Sequence, residues 1–388
     1  MKNKKNILIL SPFFYPEPIS TGKFNANFVE GLVAKGHTVT VLCFHPFYPY
    51  WKAKKSNAQL KGVKIVRGGK RLVYTNNVIF RRIILEFSFA FFILRNLGEH
   101  QKGKDLVIPV FPPSFAFYMI LPFLNKKIRK VGMVHDLQEV YSEDKSGFLN
   151  KLLRFFIHKV EKKCYLNCNK LLFLSNEMKN EAKKLYNLAD EKLEVQYPFI
   201  TIKDKITNDL ESLFDIKKIN VVYSGALGEK QNPMQLLSFF SEASKKIENT
   251  IFHFFSEGET IKKLKELNKN NRILFHNLVN EENLEELYSK SSVQIIPQKE
   301  NTSKGSLPSK LPNLLASGCK VLVITDANSE IDFFFINNDL DALATNWNNE
   351  VLVGKLNFLI QKQVDVEHQK AVAKKKFTMD EMILKIFR

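Results

Sequence analysis

Cysteine is scarce in this chain, and its scarcity removes two classes of protein at once. The four thiols, Cys43, Cys164, Cys168 and Cys319, are too few and too scattered over 388 residues for a disulfide framework. Cys164 and Cys168 have His158 nearby but no second pair, so a zinc site lacks its ligands. A reducing, cytosolic setting fits that usage best. Long apolar runs are missing too. "MKNKKNILILSPFFYPEP" opens with basic residues before an apolar stretch, as a signal peptide does, but proline cuts the stretch short and it reads as a first strand. The most apolar segment, "IFRRIILEFSFAFFILRNL" at 79–97, is interrupted by Arg81, Arg82 and Glu86, and no transmembrane helix is predicted. Neither G-x-G-x-x-G nor G-x-x-x-x-G-K-[ST] occurs, so the dinucleotide and P-loop readings lose their carriers.

Acidic residues are sparse in one half only. Residues 1–200 hold 33 Lys and Arg against 15 Asp and Glu, whereas 201–388 hold 25 of each, so the first half carries the whole net charge of +18. A basic half with Phe-rich amphipathic helices suits an anionic surface, either membrane or nucleic acid. No nucleic-acid-binding motif is present, which favours the membrane. Phe87, Phe91 and Leu94, flanked by Arg81, Arg82 and Arg95, suit a boundary between headgroups and acyl chains.

A chain that is 45% hydrophobic and 12% aromatic builds a large core, and its length allows two ordinary domains. The first half alternates strands and helices: "NILILS", a helix ending at Gly36, "HTVTVLCF", "VKIV", the aromatic helix, "DLVIPV", "KVGMVHD", a helix around 149–167, then "KLLFLS". Continuous apolar strands in that alternation mean a parallel sheet covered on both faces. The second half repeats the scheme through "INVVYS", "TIFHFFS", "RILFHN", "VQIIP" and "KVLVIT". The expected division is a Rossmann-like domain over 1–196, a linker over 197–208, a second Rossmann-like domain over 209–365, and a helical segment over 366–388 that crosses back to the first. Two doubly wound domains leave a cleft lined by the carboxyl ends of their strands.

Two loops of the second half carry chemistry. In "VVYSGALGEKQNPMQLL" a strand runs into Gly225 and Gly228, which let backbone approach a ligand, and Lys230 adds positive charge before the helix that Pro233 begins. In "SLPSKLPNLLASGCKVLVIT", Pro312 is tolerable only in a first helical turn, which puts the N-cap near Ser309 and leaves Ser306, Ser309 and Lys310 at an anion-binding end, with Gly318 as the stop. The two lysines converging on one cleft suit a diphosphate. In the first half, Gly22 at the helix start of "SPFFYPEPISTGKF" allows a phosphate or sugar to approach, and His135-Asp136 ends a strand where catalytic side chains sit. Asp339-Leu340-Asp341 reads as a surface turn, with no third metal ligand.

Together "SPFFYPEP…TGKF", "VHDLQEVYSED", "FLSNEM", the glycine loop, "NRILFHNLVNEENLEELYSKSSVQIIPQ" and "LPSKLPNLLASGCKVLVITDANSEI" resemble the retaining GT-B glycosyltransferases of family 4. The branch they resemble most builds bacterial O-antigen, capsule and colanic-acid-type polysaccharides. The resemblance implies an α/β fold of two Rossmann-like domains facing a central cleft, and a nucleotide-diphospho-sugar donor held mainly by the second. It implies Lys230, Ser309 and Lys310 on the diphosphate, the backbone of His276-Asn277-Leu278 on the base, Ser329 and Glu330 near the donor, and His135 near the donor sugar and acceptor hydroxyl. It also implies no metal, since helix ends and lysines stabilise the leaving group. Many relatives carry two glutamates near this helix start, and the corresponding residues here are Gly305 and Asn313. Asn313 retains the ability to hydrogen-bond a ribose hydroxyl, whereas Gly305 cannot replace a carboxylate.

The expected function is therefore a cytoplasmic, membrane-associated transferase that passes a hexose or N-acetylaminosugar from a nucleotide sugar, UDP preferred over GDP, to a polyprenyl-diphosphate-linked glycan. No cofactor beyond the donor is expected. The alternatives are an isomerase of the nucleotide-sugar 2-epimerase kind and a non-catalytic scaffold derived from a transferase.

Overall fold

Strand β1 (Asn6–Leu10) begins the first sheet because four successive apolar residues can be buried on both faces at once. The computed structural model describes residues 4–388 except 18, 49, 76, 139–147, 203–206, 301–306, 342 and 345. The chain divides into two units, Met1–Gln196 with Met379–Arg388, and Tyr197–Thr378.

In the first unit β1 is followed by α1 (Ser20–Ala34), β2 (Thr38–Phe44), β3 (Val63–Gly68), α2 (Val78–His100), β4 (Leu106–Phe111) and α3 (Ser114–Ile120). Then come β5 (Arg129–Val134), α4 (Phe148–Leu166), β6 (Lys170–Phe173), α5 (Asn176–Tyr186) and β7 (Leu193–Val195). The sheet is parallel throughout, in the order β3-β2-β1-β4-β5-β6-β7, and the progression of strand order reverses between β1 and β4.

The second unit contains β8 (Ile219–Ser224), α6 (Pro233–Lys246), β9 (Thr250–Phe255), α7 (Glu259–Leu267), β10 (Ile273–His276), α8 (Leu284–Lys290) and β11 (Val293–Pro297). It continues through α9 (Leu311–Ser317), β12 (Val321–Ile324), α10 (Glu330–Asn337), β13 (Leu343–Ala344), α11 (Asn349–Gln361) and α12 (Val366–Lys376). The parallel order β10-β9-β8-β11-β12-β13 reverses between β8 and β11. In open sheets of this winding, ligands bind outside the carboxyl ends of the strands at that reversal.

The expected single returning helix is two helices. α12 stays in the second unit, packed on α9, and only α13 (Met379–Phe387) joins the first. Its seat is built for it. A Cβ at Gly31 of α1 would stand 2.6 Å from Met379 Cγ, and Lys35 pairs with Asp380 at 2.8 Å. Lys385 Nζ donates to the Val195 carbonyl at 2.8 Å, and the Arg129 guanidinium donates to the Phe387 carbonyl at 3.3 Å.

Candidate active site

The carboxyl edge of the second sheet gathers most of the residues singled out from sequence. Gly225 follows β8 at φ 128°, a conformation other residues adopt only with strain, and its N–H donates to the Phe255 carbonyl at 3.0 Å. A Cβ built there meets nothing within 4 Å, so conformation and not crowding demands glycine. Gly228 is extended (φ −107°, ψ −175°) and carries no such demand. Lys230 is exposed in a 3-10 turn, Glu229–Gln231, and its carbonyl accepts the Lys299 N–H at 2.8 Å. That bond draws the chain leaving β11 to the glycine loop.

Lys310 departs from the expected arrangement. α9 begins at Leu311, so Lys310 itself holds the N-cap position in place of Ser309, which is exposed; Pro312 does fall in the first turn, and Gly318 ends the helix at φ 77°. The lysine side chain turns inward. Its Nζ donates to the Ile295 carbonyl at 2.9 Å and the Ser224 carbonyl at 3.3 Å, and lies 4.5 Å from the centroid of the Tyr223 ring. One ammonium thus bridges β8 and β11, the two strands flanking the reversal. Its partners are carbonyl dipoles and a ring face, none of them anionic, and burial lowers its pKa to about 7.

The remaining residues expected at a donor divide. His276 Nε2 meets His253 Nδ1 at 3.1 Å, and His253 Nε2 meets Asn220 Oδ1 at 3.0 Å. Burial lowers both pKa values, that of His253 to about 3, so this stack is neutral. The His276 carbonyl accepts the Ser256 N–H at 3.2 Å, while Asn277 and Leu278 are exposed just beyond. Ser329 caps α10, accepting the Asp332 N–H at 3.3 Å, and Glu330 accepts the Tyr197 hydroxyl at 2.8 Å. Asn313, expected at a ribose, is otherwise engaged. Buried on α9, it accepts the Thr201 N–H at 2.8 Å and the Ile202 N–H at 3.3 Å and donates to Thr201 Oγ1 at 3.0 Å, stitching the linker to the helix. Gly305 and Ser306 lie outside the described residues. Among those described, no group of three or more His, Cys, Asp or Glu is placed to hold a metal, and Asp341 pairs with Lys362 at 2.6 Å.

In the first unit, His135 and Asp136 follow β5 at its carboxyl end. The His135 N–H donates to the Phe111 carbonyl at 2.8 Å, and its ring meets Phe24 of α1 edge-on at 4.9 Å. Nε2 is screened from solvent and has no hydrogen-bond partner, and burial lowers the pKa to about 4, so the imidazole is neutral. Gly22, expected to admit a ligand, faces protein: a Cβ there would stand 2.9 Å from Glu17 Cβ. Glu17 in turn accepts the Phe47 and Tyr48 N–H groups.

A second surface of this unit is apolar and cationic. Phe80, Phe87 and Phe91 stand outward in one stripe of α2, while Phe89, Ala90, Ile93 and Leu97 face the core. Leu94, expected on the outer stripe, packs against the core. Phe115 of α3 joins Phe87 at 4.7 Å and Phe156 of α4 at 5.8 Å, which makes one aromatic face across three helices. Arg95 lies over Phe91 and Lys159 over Phe155, and the single acid of α4, Glu161, is fully buried. Among the described residues, no helix is long and apolar enough to cross a membrane. All four thiols are buried and unpaired, and burial pushes Cys43, Cys168 and Cys319 up to about 12.

Sequence reasoning missed Tyr223, the buried Asn220-His253 pair, and the carboxylates Glu86 and Glu161. The last two had a signal: a lone acid on an apolar helix face needs donors around it.

Comparison with known proteins follows this division of the chain. Residues 21–204 match the model for Glycosyltransferase Family 4, and residues 204–377 match that for Glycosyl transferases group 1. The chain is 26% identical over 355 residues to WcaI of Escherichia coli (strain K12), a protein named for colanic acid biosynthesis glycosyl transfer, with 84% of each chain covered. Among solved structures it is similar to sucrose-phosphate synthase from Thermosynechococcus elongatus, at a TM-score of 0.72 and 13% identity, covering 99% of this chain and 97% of that one. It is also similar to the catalytic domain of starch synthase IV from Arabidopsis thaliana, at a TM-score of 0.65 and 11% identity with both chains fully covered. Each half of the chain thus matches a glycosyltransferase family model in turn, and its two parallel sheets are those of the GT-B fold.

Proposed function

We propose that the chain is a retaining, metal-independent glycosyltransferase. It moves a hexose or N-acetylaminosugar from a nucleotide-diphospho-sugar, UDP-linked in preference to GDP-linked, to a growing polyprenyl-diphosphate-linked surface-polysaccharide precursor. The carrying observation is the Lys310 ammonium, buried beside Gly225 at the β8–β11 reversal with no anionic partner among the described residues. A positive charge fixed by carbonyls needs no reorganisation when an anion arrives, and a diphosphate leaving group develops charge as the glycosidic bond breaks. Lys230, exposed on the same loop, adds a second charge.

No side chain of the described site is disposed as a nucleophile, so attack takes place from the front. The bond from the sugar C1 to the phosphate oxygen breaks, the bond from C1 to the acceptor oxygen forms, and the acceptor proton passes to the departing diphosphate. Neutral His135 is the candidate to hydrogen-bond the sugar or acceptor hydroxyl, through the ring nitrogen other than the screened Nε2, and Asp136 stands beside it in the chain. The polysaccharide reading is supported by the name of the E. coli relative. A peripheral place on the inner face of the cell membrane is supported by the aromatic and cationic face of α2, α3 and α4, whose rings suit the headgroup region and whose lysines and arginines suit anionic lipid.

The test is calorimetry of the full chain with UDP, GDP and their sugars, followed by product analysis with and without a lipid-linked acceptor. Binding of a nucleoside diphosphate that is lost in Lys310→Ala, with sugar appearing on the acceptor, is expected. Epimerised donor formed without acceptor would replace this reading with an isomerase, and binding of neither nucleotide would leave a scaffold.

A further inference from the structure

Two carboxylates lie buried where the chain leaves β5, and both hold the same residue. Glu161 of α4, wholly buried, accepts the Gln138 N–H at 3.2 Å through Oε1. The same oxygen accepts the Tyr165 hydroxyl at 3.1 Å, and Oε2 accepts the Tyr186 hydroxyl at 2.6 Å. Glu86 of α2 accepts the Gln138 side-chain amide at 3.2 Å and, through its other oxygen, the Ala116 N–H at 3.0 Å. Burial raises the Glu86 pKa above the ordinary carboxylate range, so its placement costs free energy that a purely apolar contact would avoid.

Gln138 is three residues beyond His135, in a stretch with no regular structure whose backbone groups must find partners elsewhere. Its main chain is held from one helix and its side chain from another. The segment is pinned at its other end by the bond from His135 N–H to Phe111. Between these two anchors the imidazole Nε2 has no hydrogen-bond partner to fix it. Its orientation is therefore set by the backbone on either side and by the edge of Phe24.

We propose that Glu86 and Glu161, acting through Gln138, are positioning residues for the His135 imidazole. The proposal rests on the reading that His135 works at the reacting centre, but its first readout does not. In the full-length protein with labelled histidine, the His135 ring resonances, assigned by their loss in His135→Gln, carry the ring-current signature of Phe24. Gln138→Ala and Glu161→Gln should shift or broaden those signals while the other histidines stay in place. Sugar transfer should fall by about 100-fold, the penalty of a roughly 1 Å misplacement, with the donor KM unchanged. Combining Gln138→Glu with Glu86→Gln reverses donor and acceptor and should restore both the signals and turnover. Unmoved His135 signals in folded Gln138→Ala protein overturn the proposal, and that variant keeps the test open where Glu161→Gln fails to fold. Signals that move while transfer continues at full rate uphold the positioning and remove His135 from the reaction.

Discussion

Lys310 Nζ lies 3.3 Å from the Ser224 carbonyl oxygen, one residue ahead of the glycine that opens the loop after β8. Its folded pKa, about 7, is far below the ordinary lysine value of 10.5. Between those two values the unfolded chain holds a proton that the folded chain has shed, so this group's burden on stability is greatest below pH 7 and lifts as the pH rises toward 10.5. Nucleoside diphosphate binding should run the opposite way and weaken above pH 7, because an anion favours the ammonium. Urea unfolding of wild type and Lys310→Met at several pH values checks the first trend. The wild type should gain on the variant with alkali, and parallel curves would mean that the ammonium is not buried as described. Turnover of Lys310→Met should drop by about 10²–10³-fold.

Asn313→Ala should leave the Thr201 and Ile202 amides without their acceptor and cost about 1–3 kcal/mol. Asn313→Asp keeps the acceptor and should recover most of that loss. Nucleotide affinity should be unchanged in both variants. A calorimetric loss of affinity matching the loss of stability would return Asn313 to the ribose.

Phe91→Ser combined with Phe155→Ser removes two rings that are 59% and 56% exposed, so the melting temperature should barely move. Sedimentation with vesicles rich in anionic lipid should fall sharply. Raising the salt should weaken wild-type binding in part, since the charged contribution is screened and the inserted rings are not. Binding that is indifferent to both the rings and the salt would detach this face from the membrane.

The alternation of the chain was legible because parallel strands buried on both faces must be apolar from end to end, as β1, β4 and β8 are. β7 and β13 escaped notice because strands of three and two residues are too short to show a period. Gly225 was legible as a turn glycine, whereas Gly22 was not: a glycine that seats a neighbouring Glu17 and one that a turn demands look alike in sequence. Lys310 was expected to point out of the helix start, and the structure turns it inward. A helix-start lysine next to a loop is ordinarily solvated, and nothing local reveals that Tyr223 and two carbonyls wait beneath it. Asn313 is a similar case, since its partners at 201 and 202 are more than a hundred positions away.

The return of α13 bears on how such proteins can be recombined. The second family match stops short of it, at residue 377, yet Met379, Asp380 and Lys385 are fitted to Gly31, Lys35 and Val195. A hybrid joined only at the linker would inherit a tail cut to someone else's groove. The second unit can therefore be exchanged with a cousin's only if the exchanged block stops before this last helix and the host keeps its own.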